Sequence, residues 1–334
     1  MQAKITPKKI AVLRFSSIGD IVLISPVIRA LHACRLYSIH FITKSAYAQV
    51  NLHNIYLTKQ HLFDKDPREI LSQLKAESFD FVVDLHKNIR SKRLVRSLAV
   101  KSYTFPKLNV QKWLLVNFKI NRLPDIHIVD RYFMAVQQLK AANDGKGLDM
   151  FIDPVHKIGV VDHGLAANNY TVVVLGAAHF TKRIPSALLD QIIPYIDGMV
   201  VFLGGSAERA EGVKLASKNP EKLLTFCGTT NLQQSASLIQ QARQVVTADT
   251  GMMHIAAAFH KKIIVLWGNT VPALGMYPYY GDQPNRAHSF EVENLPCRPC
   301  SKIGYDACPR GHFDCMHKQD VAGILAVLNE PANI

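Results

Sequence analysis

The segment Arg14-Phe15-Ser16-Ser17-Ile18-Gly19-Asp20 constrains the fold more than any other stretch of the chain. An apolar run, Ile10-Ala11-Val12-Leu13, precedes it and reads as a buried strand. Ile21 to Leu31 follows it and reads as a helix that Pro26 should kink or restart. A strand, a tight glycine turn and a helix start place Asp20 at the carboxyl edge of a parallel sheet. That edge is where open α/β sheets bind ligands. A carboxylate there either caps the helix or removes a proton from a substrate.

The same alternation runs on. Strands are expected at 8–15, 38–43, 79–84 and 99–104, with a weaker one near 54–63, and helices at 20–34, 68–76, 88–98, 108–118 and 128–142. A polar, glycine-bearing stretch, Ala141 to Gly147, then opens a connection over roughly 145–169. Beyond it, strands at 170–175, 199–203, 223–226, 244–247 and 262–267 alternate with helices at 185–196, 207–218, 231–242 and 252–259, and a last helix falls at 318–329. Such alternation means βαβ units. The expectation is an α/β chain of two Rossmann-like, doubly wound domains, residues 1–150 and 170–316, then a helix and tail at 317–334. A length of 334 residues suits two domains. No apolar run approaches the roughly 20 residues that span a bilayer. The start lacks the apolar core and cleavage site of a signal peptide, so the cytoplasm is expected.

Charge is unevenly spread. Residues 1–150 hold 24 Lys and Arg against 11 Asp and Glu, whereas the rest of the chain holds 15 of each. The excess suits an anionic partner for the first half, or plain solubility. Within it, Arg90, Arg93 and Arg96 recur every third residue and share one side of a helix. They are candidates for binding phosphates or carboxylates; the other reading is a solvated face. No zinc finger, helix-turn-helix or RNP signature occurs, and the charge does not interleave with aromatics, so no nucleic-acid partner is expected.

In the second half, Thr247-Ala248-Asp249-Thr250-Gly251-Met252-Met253-His254 follows a strand and opens a helix. Its first N–H groups form a prepared phosphate site, or else the octet is an ordinary Asp/Thr cap. Gly176 to Arg183 is a small-residue loop after a strand, with Lys182 and Arg183 suited to a diphosphate. Leu203-Gly204-Gly205-Ser206-Ala207-Glu208 offers a carboxylate for ribose hydroxyls. His254 either contacts a bound ligand or is a core histidine. There is no G-x-G-x-x-G at the first βα turn and no Walker A loop, which argues against a nicotinamide enzyme and a P-loop ATPase. Cys297, Cys300, Cys308 and Cys315 crowd into 19 residues, as in a structural zinc site, or pack as free thiols.

RFSSIGDIVLISPVIRAL near the start, FDFVVDLHKNIRS at 79–91, HIVDRY at 127–132, LGAAHFTKRIP at 175–185 and FCGTTNLQQSASLIQQARQVVTADTGMMHIAAA at 226–258 together resemble glycosyltransferase family 9, the ADP-heptose:lipopolysaccharide heptosyltransferases. The resemblance runs over nearly the whole length, in order. It implies a GT-B fold, two Rossmann-like domains facing a central cleft. It also implies inverting transfer of heptose from ADP-heptose to the lipopolysaccharide inner core (Kdo-lipid A), with no cofactor and no catalytic metal. No D-x-D pair stands beside the donor loops. By position, Asp20 matches the family's general base, and Ser17 and Gly19 match the loop carrying it, which the resemblance also places in contact with the donor. Lys182, Glu208, Asp249, Thr250, Gly251 and His254 match the donor site. The first domain then meets the acceptor, an anionic glycolipid on the cytoplasmic face of the inner membrane, where the protein is expected to be peripheral. Ala177 and Ala178 stand where some members carry hydroxyl residues. The alternatives are a related transferase using another nucleotide sugar, a nucleotide-sugar epimerase, and a basic nucleic-acid-binding protein.

Overall fold

The computed structural model describes residues 6–330. β1 (Lys8–Leu13) passes through the turn at Arg14–Ser17 into α1 (Ile18–Val22) and α2 (Ser25–Ala33). Pro26 lies in the first turn of α2, where its missing N–H is no loss. It restarts the helix rather than kinking it. The chain continues with β2 (Tyr37–Lys44), β3 (Lys59–Phe63), α3 (Leu71–Ala76), β4 (Phe81–Asp84), α4 (Ile89–Leu98), β5 (Lys101–Thr104), α5 (Asn109–Phe118) and α6 (Ile128–Phe133). The helix expected over 128–142 stops early. Beyond Phe133 the N–H groups of Ala135 and Val136 turn to carbonyls three residues back, Tyr132 and Phe133, and the coil tightens.

The second series is β6 (Tyr170–Val174), α7 (Ser186–Ile192), β7 (Met199–Leu203), α8 (Arg209–Ala216), β8 (Leu223–Thr225), α9 (Leu232–Gln241), β9 (Gln244–Ala248), α10 (Gly251–Ala258), β10 (Lys262–Trp267), β11 (Ala287–Glu291), α11 (Asp314–His317) and α12 (Val321–Leu328). β11 and α11 were not expected from sequence. The last four residues of the expected tail, 331–334, lie outside the described residues.

Every strand pairing among the described residues is parallel. One sheet has the order β3-β2-β1-β4-β5 and the other β11-β10-β9-β6-β7-β8. Both are doubly wound, with the strand order reversing between β1 and β4 and between β6 and β9. The central strands are covered on both faces: Ile10 to Leu13, all of β6 and all of β9 are buried. This is why they read as largely apolar stretches rather than as a polar–apolar alternation.

Two compact units result. The first takes in the chain up to Lys107, Ile126–Phe151 and Tyr279–Gln283; the second takes in Leu108–Asp125, Ile152–Pro278 and the chain from Pro284. The units thus interleave, where contiguous stretches 1–150 and 170–316 were expected. α5 packs with the second unit, where Lys119 Nζ donates to the carbonyls of Cys297 (3.3 Å) and Pro299 (2.7 Å). The expected connection 145–169 is also shared out. Its start is held in the first unit, where buried Arg29 pairs with Asp144 at 2.7 Å and with Asp149. Its remainder lies along α9. Gln233 accepts from Asp153 N (2.9 Å), Ser237 from Ile158 N (3.0 Å), and Gln241 donates to the Ile158 carbonyl (3.0 Å).

Candidate active site

In the first unit the switch point lies beside the carboxyl end of β1. Arg14 leaves the strand there as a buried side chain. Its Nη1 donates to the Leu85 carbonyl (2.7 Å) and the Tyr132 hydroxyl (3.2 Å), and its Nε to the Ser16 carbonyl (2.9 Å). So anchored, its Nη2 sits 2.5 Å from Asp20 Oδ1. The other oxygen of Asp20 accepts from the Ser17 N–H (3.2 Å) and hydroxyl (3.0 Å). Asp20 therefore does cap α1, and its side chain still keeps 20% of its surface open. Burial pushes the Asp20 carboxyl up, but Arg14 and the Ser17 hydrogen bonds outweigh it and hold the group below its ordinary value. Ser17 and buried Gly19 belong to the same turn.

Two neighbours complete this edge. Asp84 ends β4 and binds its own turn, accepting from His86 N (3.0 Å), Lys87 N (2.7 Å) and Ser91 Oγ (2.8 Å). His86 packs on Phe15 with ring centroids 4.7 Å apart, and its Nε2 meets Asn88 Nδ2 at 2.7 Å. Burial, then Arg14 and Lys107, push its pKa down to about 3, so the ring is neutral. Its Nδ1 is buried without a hydrogen-bond partner.

In the second unit the equivalent point joins the ends of β6 and β9. Lys182 Nζ lies 2.6 Å from Asp249 Oδ2, and Thr270 Oγ1 donates to the same oxygen at 2.8 Å. Thr250 is the N-cap of α10 but makes no side-chain cap bond; its hydroxyl meets Thr247 Oγ1 at 3.0 Å instead. The first N–H groups of α10, beginning at Gly251, therefore receive no bond from the Thr250 hydroxyl. His254 is buried one turn into that helix. Glu208 is buried too. It accepts from Gly205 N (2.9 Å) and pairs with Arg183 Nη2 (3.0 Å). Gly204 makes room for it, since a Cβ there would meet the Glu208 Cβ at 2.8 Å. Arg183 is thus paired with Glu208 as Lys182 is paired with Asp249.

The sequence matches the family described as glycosyltransferase family 9 (heptosyltransferase) over residues 68–304. This chain belongs to glycosyltransferase family 9. Lipooligosaccharide heptosyltransferase 2 of Haemophilus influenzae is 42% identical over 112 residues, 32% of each chain. The match spans about a third of that relative's length. Among solved structures, the family 9 glycosyl transferase of Veillonella parvula superposes with a TM-score of 0.74 at 19% identity, covering 97% of this chain and 98% of that one. Escherichia coli heptosyltransferase WaaC, solved with ADP, gives 0.66 at 18% identity, covering 96% and 99%. These likenesses show the fold, which is GT-B.

The remaining family 9 candidates fall differently. Arg90, Arg93 and Arg96 are exposed along α4; Arg90 Nη1 donates to the Lys65 carbonyl at 3.2 Å. The four clustered cysteines are all free thiols. Among the described residues no three of them come within metal-ligand distance of one another. Cys315 is buried in the second unit's core and Cys308 packs against that core, while Cys297 Sγ lies 3.9 Å from His312 Nε2. As placed, the four thiols do not converge as a zinc site would need, and the alternative of packed free thiols describes Cys308 and Cys315.

Sequence reasoning missed Arg14, Tyr132, His86 and Thr270 as parts of these sites. Tyr132 and His86 lie inside motifs quoted above, HIVDRY and DLHKNIRS. Arg14 carried a signal as well: a cation directly after a buried strand, six residues before the carboxylate it fixes.

Proposed function

We propose that this family 9 chain transfers a heptose from ADP-heptose to the Kdo-lipid A inner core of lipopolysaccharide, inverting the anomeric centre and using no metal in the chemical step. The observation that carries the reading is the pairing of chemistries at the two switch points. One holds an ionised carboxylate, Asp20, fixed by Arg14. The other holds Lys182 beside a helix start that has no side-chain cap.

In the proposed step the acceptor hydroxyl attacks the anomeric carbon and passes its proton to Asp20. The bond from that carbon to the donor phosphate breaks, and ADP leaves with the electron pair. The hydroxyl acidifies as the new C–O bond forms, so a carboxylate held below its ordinary range suffices as base. Lys182 leaves Asp249 for the diphosphate, and the first N–H groups of α10 accept the growing charge. These groups supply the positive field that a divalent ion supplies elsewhere. Ser17 and Gly19 shape the turn that aims Asp20, and Glu208 and His254 line the nucleoside side of the donor.

The acceptor side is assigned to the first unit, with Arg90, Arg93 and Arg96 of α4 as contacts for anionic groups. The protein is placed as peripheral on the cytoplasmic face of the inner membrane. α5 supports this placement. It presents Val110, Trp113 and Phe118 to solvent at 68%, 54% and 58% exposure, with Lys112 on the same helix. Aromatic and basic residues mixed on one short helix suit an anionic lipid interface. No helix among the described residues is long and apolar enough to cross a membrane. The test is an acceptor-dependent ADP-release assay. Transfer that depends on Asp20 and persists in EDTA supports the reading; release of ADP without acceptor, or a strict magnesium requirement, contradicts it.

A further inference from the structure

Away from both switch points, the first unit holds a second cluster of chemically capable groups. His40 lies on β2 and His61 on the neighbouring β3. Register pairs Ile42 with His61, so His40, two residues earlier on β2, shares its face of the sheet. Glu77 caps the carboxyl end of α3. His40 Nδ1 and His61 Nε2 are 3.0 Å apart. The Glu77 carboxylate faces both: Oε2 is 3.9 Å from His40 Nδ1, and Oε1 is 3.9 Å from His61 Nε2. Among the described residues this is the group whose ligand atoms converge within 4.8 Å. Both histidines are buried, at 3% and 1% exposure. Phe79 stands edge-on to both rings, at 5.2 Å and 6.1 Å.

We propose that His40, His61 and Glu77 bind a zinc-class divalent ion that ties β2, β3 and the end of α3 together. Two imidazole nitrogens and one carboxylate oxygen are a zinc donor set rather than a magnesium or calcium one. Bonds of about 2.0–2.1 Å in a tetrahedron set donors about 3.3 Å apart. The observed separations straddle that value, so the carboxylate needs to close by only about half an ångström to meet it. Ser38 Oγ stands 3.4 Å from the far nitrogen of His40 and supplies the outer partner that orients a ligating ring. Water or a further ligand takes the fourth position.

Lys9 and Lys59 compete with the ion. Their ammonium groups lie 3.1 Å and 2.7 Å from Glu77, and both side chains are nearly half exposed. They hold the carboxylate when no ion is bound and can swing into water when one arrives. Asp20 follows the carboxyl end of β1, whereas Glu77 precedes the amino end of β4. The site is therefore structural, separate from the transfer chemistry.

The test is titration of the full-length, chelator-treated protein with Co²⁺ and then Zn²⁺. Stoichiometric Co²⁺ with visible d–d bands and no thiolate charge-transfer band marks a nitrogen–oxygen site and excludes the cysteine cluster as the binder. His61→Gln should weaken binding at least about tenfold. Lys59→Gln should tighten it, and Zn²⁺ should raise the melting temperature in proportion to its binding. Absence of stoichiometric binding, a spectrum dominated by thiolate, or equal affinity in His61→Gln overturns the proposal. Should His61→Gln fail to fold, Lys59→Gln decides alone: tighter binding supports the site, and unchanged or weaker binding overturns it.

Discussion

Arg14 does two jobs for Asp20. It keeps the carboxylate ionised, and its three anchoring bonds fix where that carboxylate points. Asp20→Asn keeps an acceptor for the Ser17 N–H but removes the proton-accepting charge. Turnover should fall by at least about 10², the usual scale of general-base loss, with donor affinity little changed. Near-normal turnover would leave Asp20 a helix cap only. Lys182→Ala removes one charge-assisted contact. By calorimetry, ADP should bind about 10- to 100-fold more weakly, and unchanged affinity would make Lys182 a structural partner of Asp249. His86 gives a pH signature. Its folded-state pKa of about 3 lies below that of an unfolded histidine, about 6.5. As pH falls the unfolded chain takes the proton first, so the stability due to the neutral ring is full above about 6.5 and is lost progressively toward 3. His86→Gln should flatten the melting temperature between about pH 6.5 and 4.5 relative to the parent; parallel curves would contradict the assignment.

Among the elements, charge reversal of Arg90, Arg93 and Arg96 should raise the acceptor's Michaelis constant without altering ADP binding. Trp113→Ala with Phe118→Ala should reduce flotation on anionic vesicles. If neither the acceptor's Michaelis constant nor flotation moves, α4 and α5 are solvated faces. The elements that carry the site were legible because the chain states them locally. β1, β6 and β9 are mostly apolar and buried on both faces, and each ends in a glycine- or threonine-bearing turn with a helix behind it. Pro26 announced the restart of α2. β11 was not legible: Ala287-His288-Ser289-Phe290-Glu291 is a half-exposed edge strand with no apolar run, held by its pairing to β10. Nor was the attachment of α5 to the second unit, since Lys119 earns its place through carbonyls nearly 180 positions away. Arg14 illustrates the general difficulty. A cation after a strand looks like surface until its three acceptors, two of them distant in sequence, are brought to it.

For the molecule as a whole, the basic excess of residues 1–150 and the neutral balance of the remainder predict salt-sensitive attraction to anionic lipid. Each basic residue near such a surface contributes about 1 kcal/mol. Flotation should therefore fall steeply as salt rises and the screening length shrinks to about 3 Å at 1 M. If Lys182 and the start of α10 carry the positive charge at the leaving group, as proposed, initial transfer rates should be equal in EDTA and in added magnesium. The most direct test of the central claim is acceptor-dependent nucleotide release with Kdo-lipid A, comparing ADP-heptose with UDP- and GDP-sugars. The account predicts release from ADP-heptose alone, reduced at least about 10² by Asp20→Asn. Preferential use of a UDP- or GDP-sugar, or ADP release that does not require the acceptor, would contradict it.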